Sequence, residues 1–227
     1  MRTSLPLTPP NITRHAAVLT LLVAMGMLWG CSAVQPVRVL ERGQEAITTS
    51  LGGALAPGTS PTGVVPYLTA GYANGISDDV TVHGRAHLVM AAFGALGLDV
   101  GASMRALRQD GAVPEVTVSG QVLGFASLVR SAPVRLYPNI TANASWSVGE
   151  RSLLYLGSHA TVQFDSRSTL VSPFAGFQFP ISNGVRLQVE TIWQASNIDT
   201  RAGVFDGESS IGGNGSFGIY IGGMIAL

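Results

Sequence analysis

The residues most able to do chemistry lie in one short stretch, His83-Gly84-Arg85-Ala86-His87. Two imidazoles beside a guanidinium suggest either a metal site or a cluster of acid and base groups. On a strand, residues four apart share a face but stand roughly 13 Å apart at about 3.3 Å per residue, whereas the ligands of one Zn²⁺ each lie about 2.0–2.1 Å from it. The spacing therefore disfavours a shared metal, and we predict no metal site and no cofactor.

Carboxylates on neighbouring strands could pair with these cationic groups. Asp99 lies on the next predicted strand, and a later strand carries Arg186 and Glu190 on its polar face. Buried polar groups in proteins are hydrogen-bonded, and buried charges are paired. We therefore predict a polar network in the interior, and a catalytic cluster of the same groups is the alternative. The predicted network consists of His83, Arg85, His87, Asp99, Arg186 and Glu190.

A nucleophile signature is missing from the sequence. Ser158 and His159 are adjacent, so on a strand their side chains point to opposite faces and cannot pair by themselves. The glycine-rich residues 211–215 resemble a phosphate loop, but no helix follows them, as such a loop requires. We predict no catalytic residue.

The elements that position these groups are strands. In residues 134–148, the even positions are apolar or proline and the odd positions are polar without exception, ending with Trp146-Ser147-Val148. A period of two is typical of a strand with one apolar and one polar face. The run exceeds the usual strand length of about 5–6 residues but suits a tilted strand that crosses a bilayer.

Comparable stretches occur along the rest of the chain and bring the number of predicted strands to about ten. An even number is typical of closed bacterial barrels, so we predict an all-β fold, an antiparallel up-and-down transmembrane β-barrel of about 8–10 strands. Tight turns are predicted at Asn74-Gly75-Ile76 and at Ser182-Asn183-Gly184. The other stretches are 44–51, 64–72, 79–88, 93–104, 115–127, 152–164, 170–179, 185–194 and 216–227.

Composition excludes some classes of protein. Of the 227 residues, 46% are hydrophobic and only 11% are charged, whereas about a quarter is charged in a typical soluble domain. The 13 basic residues are all arginine and are balanced by 13 acidic ones, so no basic field exists to bind nucleic acid. After the first thirty residues, no run of ~20 apolar residues predicts a transmembrane helix.

The N-terminal segment has the features of a targeting sequence. Arg2 and Arg14 precede an apolar run at 16–28, which is too short to span a membrane, and Leu28-Trp29-Gly30-Cys31 follows. This arrangement resembles a bacterial lipobox, although Trp29 is bulkier than the usual residue. The resemblance implies a signal peptide at 1–30 and a lipidated Cys31. The absence of a clear period predicts a spacer at 31–43, and the strand pattern predicts a barrel domain at 44–227. Ser32 implies sorting to the outer membrane.

A soluble lipocalin-like barrel would show the same alternation. It should carry Lys and Glu on its outer wall, whereas here the few charges stand among Ser, Thr, Asn and Gln on the polar faces. The chain therefore resembles outer-membrane β-barrel lipoproteins of Gram-negative bacteria, of an uncharacterised kind. Residues 67–101 carry this resemblance, with Gly71-Tyr72, Asp78, His83, His87 and Asp99.

The resemblance implies a structural or interaction role in the outer membrane and a lumen too polar and narrow for a general pore. Membrane lipid is the expected partner, and other envelope components could bind the long connection at 196–215. Two alternatives stay open. The first is a lipid-modifying enzyme, which would bring Ser, His and an acid together at one rim. The second is a lipid-tethered periplasmic barrel, which would show an apolar interior.

Overall fold

The computed structural model describes residues 35–56, 63–64, 67–92, 94–129, 131–164, 167–199 and 213–227. In this part of the chain, no helix has the length and apolar character needed to cross a membrane. The described elements are strands and one short helix: β1 (Glu45–Ala56), β2 (Gly63–Val64), β3 (Tyr67–Ser77), β4 (Val80–His87), α1 (Leu88–Ala92), β5 (Ala95–Leu107), β6 (Glu115–Ser127), β7 (Arg135–Val148), β8 (Ser152–Gln163), β9 (Ser168–Ser182), β10 (Val185–Asp199) and β11 (Asn214–Ala226).

Pairing between the first and last long strands closes the sheet. Each long strand pairs antiparallel with the next one along the chain, and β1 also pairs with β11, from Ala46 opposite Ala226 to Ala54 opposite Gly218. The two-residue β2 pairs with the end of β1 and lies outside this ring. The described residues therefore form a closed ten-stranded antiparallel barrel, which confirms the predicted fold class and strand number.

The start of β1 and the end of β11 lie at one end of the barrel, which we call the terminal end. There the Leu227 N–H donates to the Glu45 carbonyl oxygen at 2.9 Å, and Asn183-Gly184 makes the predicted turn between β9 and β10. The predicted turn at Asn74-Gly75 is wrong, because β3 continues to Ser77 and the chain reverses at Asp78-Asp79. The opposite end, where β1 ends and β3 begins, is called the loop end.

Side chains alternate between the lumen and the outer wall as the sequence predicts. On β7, Asn139, Thr141 and Asn143 are buried, whereas Ile140 between them is 61% exposed. Because the polar side chains point inward, the barrel encloses a polar lumen and presents an apolar wall to its surroundings. The alternation predicted for residues 134–148 is confirmed.

The lumen also contains an apolar cluster that alternation alone does not reveal. It lies mainly on β8 to β11 and packs around Val37, which precedes β1. The interior is therefore polar on one side and partly aromatic on the other. The cluster consists of Val37, Tyr67, Leu153, Tyr155, Phe174, Ile192 and Tyr220.

Gly176 is required by the close approach of Tyr155. A Cβ atom at position 176 would fall on the Tyr155 hydroxyl group and lie 2.6 Å from the Val189 carbonyl oxygen. Tyr155 is almost fully buried, so its ring has little room to move. The glycine opposite Tyr155 thus provides the space that the tyrosine side chain occupies in the lumen.

We expect Gly176→Ala to lower the free energy of unfolding by about 1–3 kcal/mol, because the added methyl group overpacks a filled site. Gly120→Ala is the matched control, since a Cβ there meets nothing within 4 Å, and its effect should stay within about 0.5 kcal/mol. Urea denaturation of the refolded variants in lipid vesicles measures both. Equal losses for the two variants would contradict the packing argument.

Candidate functional site

The lumen brings four of the six predicted network residues together. Arg85 Nε lies 3.0 Å from Asp99 Oδ1, and His87 Nε2 lies 3.2 Å from Asp99 Oδ2. The ladder explains this, because Arg85 on β4 stands directly opposite Asp99 on β5. Both partners are almost fully buried, so Asp99 compensates the Arg85 charge where water cannot.

Gln121 on β6 extends the cluster to a third strand. Its amide oxygen accepts from Arg85 Nη2 at 3.2 Å and is hydrogen-bonded to His83 Nε2 at 3.3 Å. Its amide nitrogen donates to Asn139 Oδ1 at 3.4 Å, and this hydrogen bond extends the network to β7. Gln121 thus joins His83 to the Arg85–Asp99 pair, although the sequence did not single it out.

The hydrogen bonds continue to β8. Asn139 donates to Thr161 Oγ1 at 2.6 Å, and the Thr141 hydroxyl donates to Asn139 Oδ1 at 3.1 Å. Thr141 Oγ1 also lies 2.7 Å from His159 Nδ1. The polar groups of β4 to β8 therefore form one connected network, and His159 belongs to it as an inward residue.

Toward the loop end, the network meets a row of aromatic rings. The Tyr67 hydroxyl is hydrogen-bonded to His87 Nδ1, and the His87 ring lies 5.3 Å from that of Phe125. The Phe125 ring in turn lies 6.0 Å from that of Tyr137. The His87 ring thus contacts the Asp99 carboxylate and the aromatic side chains of Tyr67 and Phe125.

Glu190 belongs to a second cluster across the lumen. The Tyr155 hydroxyl donates to Glu190 Oε2 at 3.0 Å, and Gln188 Nε2 donates to the Tyr155 oxygen at 2.8 Å. Gln178 donates to Gln188 Oε1 at 3.3 Å. Arg186 is exposed toward the terminal end. The predicted network of six is therefore divided: Glu190 pairs with tyrosine and glutamine, and Arg186 lies apart from both clusters.

Residues before β1 enter the lumen and link the two clusters. Gln35 Nε2 donates to Gln121 Oε1 at 2.7 Å, and Gln188 Nε2 donates to the Gln35 carbonyl oxygen at 3.3 Å. Farther along, the Leu40 N–H donates to Thr81 Oγ1 at 2.7 Å. We call residues 35–42 the lumen segment. The sequence predicts a spacer here, because these residues show no periodicity that would place them inside a barrel.

Arg38 fixes the lumen segment near the terminal end. Its guanidinium donates to Ser145 Oγ at 2.9 Å and to Gln109 Oε1 at 2.5 Å, and it lies 3.8 Å from Glu115. Arg105 approaches the same Glu115 carboxylate at 3.5 Å. Burial lowers the pKa of Arg38 from its ordinary value, while Glu115 raises it. An arginine stays charged at neutral pH despite such a shift, so Glu115 holds two cations together.

Catalysis or metal binding would require a nucleophile beside a base, or several ligand side chains around one point. Ser158 and His159 point to different faces, as predicted, because the His159 side chain is buried against Thr141 while Ser158 occupies an alternate position on β8. Among the described residues, no three His, Cys, Asp or Glu side chains form a group that could hold a metal. Cys31, residues 1–30 and most of the 196–215 connection lie outside the described residues.

We expect Asp99→Asn to lower the free energy of unfolding by about 3–5 kcal/mol, because it leaves the Arg85 guanidinium buried without a counter-charge. The double variant Arg85→Met/Asp99→Leu should recover most of this loss, because both members of this buried ion pair are then removed and neither charge is left unpaired. Urea unfolding in lipid vesicles measures each variant.

Asp79→Asn is the control for this prediction. Asp79 lies in an exposed turn, accepts from Arg105 and Arg108 at 2.9 Å each, and has its pKa lowered chiefly by the Arg108 hydrogen bond. Its pairs are screened by solvent, so its loss of stability should be much smaller than that of Asp99→Asn. If the two variants lose the same stability, the buried network does not stabilise the barrel as described.

No family model matches the chain, and a comparison with curated proteins finds no match either. Among solved structures, the chain is similar to a KdgM porin at 8% identity, covering 80% of this chain and 99% of the porin, with a TM-score of 0.45. It is similar to the translocator domain of autotransporter NalP from Neisseria meningitidis at 10% identity, 95% and 97% coverage, and a TM-score of 0.44. The outer membrane protein OprG from Pseudomonas aeruginosa gives 12% identity, 85% and 99% coverage, and a TM-score of 0.33. Similarity at this level assigns no function to this chain.

Proposed function

We propose that this chain is a β-barrel lipoprotein of the outer membrane with a structural or interaction role. In this proposal, residues 1–30 are a signal peptide and Cys31 carries the lipid. The barrel crosses the membrane with its ten long strands, and its filled interior does not act as a general pore. The single observation that carries the membrane assignment is the character of the outer wall.

The outer wall is apolar on every side. Val100 is 67% exposed, and each of the ten barrel strands has at least one large hydrophobic side chain that is exposed on the outside. Exposed apolar surface of this extent is unfavourable in water but matches the hydrocarbon core of a bilayer. Examples from successive strands are Leu51, Tyr72, Val82, Val100, Val122, Ile140, Leu154, Phe177, Val189 and Ile221.

Charged side chains are missing from the same positions. Between the ends of the described strands, the outward positions carry no Arg, Asp or Glu, and β7 offers Leu136, Pro138, Ile140, Ala142, Ala144 and Trp146 in turn. A soluble barrel needs charges on this face to stay in solution, whereas a lipid-facing wall excludes them. This contrast supports the membrane barrel over the tethered periplasmic barrel.

Aromatic side chains near both ends of the barrel fit the two membrane interfaces. Trp146 lies toward the terminal end and donates its indole N–H to the Ala112 carbonyl oxygen at 2.9 Å. Trp193 lies toward the loop end, donates to the Asn214 carbonyl oxygen at 2.9 Å, and stands opposite Phe217. Indole rings with one polar contact are typical of the interfacial belts of membrane proteins. Tyr72, by contrast, lies in the middle of β3.

The interaction role is assigned to the loop end. The connection between β10 and β11 is the longest between two barrel strands, and it lies within the connection at 196–215 that the sequence predicts. Long connections on a rigid barrel are where binding residues usually occur. We therefore assign contact with other envelope components to this connection and contact with membrane lipid to the outer wall.

An arginine on the outer wall tests the membrane assignment. Ile140→Arg places a charge midway along β7 and should cost about 2–4 kcal/mol of unfolding free energy in lipid vesicles. Val148→Arg, at the terminal end of the same strand, is the matched control and should cost about 0–1 kcal/mol. On a soluble barrel, both exposed sites would tolerate the change equally, and that result would contradict the proposal.

Cys31→Ala separates the lipid anchor from the barrel. We expect wild type to lie in the outer-membrane fraction, to carry lipid by mass spectrometry, and to migrate differently on SDS gels before and after boiling. The variant should lose the lipid but keep both the membrane fraction and the heat-dependent migration, because the closed strands hold it in the bilayer. A soluble Cys31→Ala protein would show instead that the tether was the only membrane contact.

A further inference from the structure

We propose that the lumen segment is a displaceable plug, and that its departure turns the barrel into a conduit for small hydrophilic solutes. This inference rests on the proposed function, because a conduit needs a barrel that crosses the membrane. It goes beyond that function, since it gives the lumen a transport activity that the segment keeps closed. The occupant of the lumen is a named part of the chain itself.

The lumen segment lies across the barrel interior and not along one wall. Gln35 is hydrogen-bonded to Gln121 on β6 and to Gln188 on β10, which are separated in the ring by three strands on one side. Val37 is only 2% exposed and packs among the apolar residues of the lumen. A segment that contacts such distant strands at this depth obstructs the passage between the two barrel ends.

Barrel size explains why a main-chain segment fits there. About eight strands already leave an interior that side chains alone can fill, so ten strands enclose more space than their side chains need. Small inward residues beside the segment enlarge that space further. Ala46 and Ala73 are fully buried against Leu40, and Gly75 lies next to them on β3.

The lumen segment lies against Gly75, and we call this position its seat. A Cβ atom at this position would fall on the Glu41 carbonyl oxygen and lie 2.7 Å from that of Leu40. The Gly43 N–H donates to the Gly75 carbonyl oxygen at 2.8 Å, and the Gly75 N–H donates to that of Gln44 at 2.9 Å. The sequence predicted a turn at this glycine. In the structure, the absence of a side chain there lets the lumen segment pass close to β3.

The polar contacts of the lumen segment, which are hydrogen bonds from side chains and single backbone groups, can be exchanged for water. Its apolar contacts at Val37 and Leu40 are lost on displacement, and the segment adds no strand to the sheet. The ring stays closed without it, because β1 pairs with β11 and β3 directly. Displacement of the segment therefore leaves the barrel wall complete.

The wall left behind is suited to small polar solutes. Gln121, Gln188 and Ser145 each lose a hydrogen bond when the segment leaves, and they then offer amide and hydroxyl groups to the passage. Among the described residues, the buried side-chain oxygens of Thr117 and Asn143 have no hydrogen-bond partner. Such groups bind water and uncharged hydroxylated molecules through hydrogen bonds.

The test uses the full chain with three substitutions that displace the segment. Gly75→Val fills its seat, Arg38→Ala removes its guanidinium bonds, and Val37→Cys removes an apolar contact and supplies a thiol probe. All are made in the Cys31→Ala background, because Cys31 is the only natural cysteine. The matched control carries Gly120→Val and Arg42→Ala with the same Val37→Cys probe. Position 120 is open, and Arg42 is exposed and bonds through its backbone N–H.

Three measurements are made on each protein reconstituted in lipid vesicles. Heat-dependent migration on SDS gels reports the folded barrel, a membrane-impermeant maleimide reports exposure of the thiol at position 37, and vesicle swelling in glucose or arabinose reports solute passage. We expect the displaced variant to stay folded, to react with the maleimide, and to swell about tenfold faster than wild type or more, as the open population rises. The control should remain protected and impermeable.

Each other result overturns the inference in a distinct way. A folded, maleimide-reactive variant that stays impermeable shows that the emptied lumen is not a conduit. A folded variant whose thiol stays protected shows that the segment is not displaceable, and loss of the heat-dependent migration in the variant alone shows that the segment is part of the folding core. If wild type itself lacks heat-dependent migration and membrane insertion, the proposed membrane barrel has failed, and the plug with it.

Discussion

The closure of the sheet between β1 and β11 is the interaction on which the rest of this structure depends. Every backbone N–H and C=O in a lipid-facing wall needs a partner within the protein, and an open sheet would leave two rows of them exposed to hydrocarbon. The β1–β11 ladder pairs those rows. Closure also separates two environments, because side chains that alternate along each strand then face either a lumen or the surroundings. The polar network is possible only because the wall around it is complete.

Asp99 shows how such a lumen accommodates charge. It lies opposite Arg85 and also contacts His87, so one carboxylate compensates the Arg85 guanidinium and contacts an imidazole. Gln121 then relays these contacts to Gln35, and Arg38 shares Glu115 with Arg105. The interior thus couples the barrel strands to a segment outside the sheet. In a barrel filled by side chains alone, these groups would have needed partners on the wall itself.

The sequence predicted the barrel because period-two alternation reports which face of a strand is buried, and strong turns such as Asn183-Gly184 fix hairpins locally. It placed Asp99 in one network with the residues of 83–87 because these residues lie at inward positions of consecutive strands. It could not place Glu190 with Tyr155, since those strands are two apart in the ring and the pairing depends on register. The sequence did not predict that the lumen segment lies inside the barrel, because an extended segment held by side-chain contacts shows no periodic pattern of apolar and polar residues. The turn predicted at Gly75 was wrong for a related reason, because the sequence does not distinguish a glycine in a turn from a glycine packed against another segment of the chain.

The lumen segment is tied on both sides in the proposed arrangement, which bears on how it would act. Only Gly43 and Gln44 separate it from the start of β1. On the other side, Cys31, the proposed lipid site, precedes Gln35 by four residues, a reach of at most roughly 14 Å. The segment can therefore leave the lumen only as a short loop. A loop of this length is inexpensive to close, and its tethers keep it at a high effective concentration near its seat. The closed barrel is then the resting state, and opening persists only when another molecule binds the released segment or the emptied lumen more tightly than they bind each other.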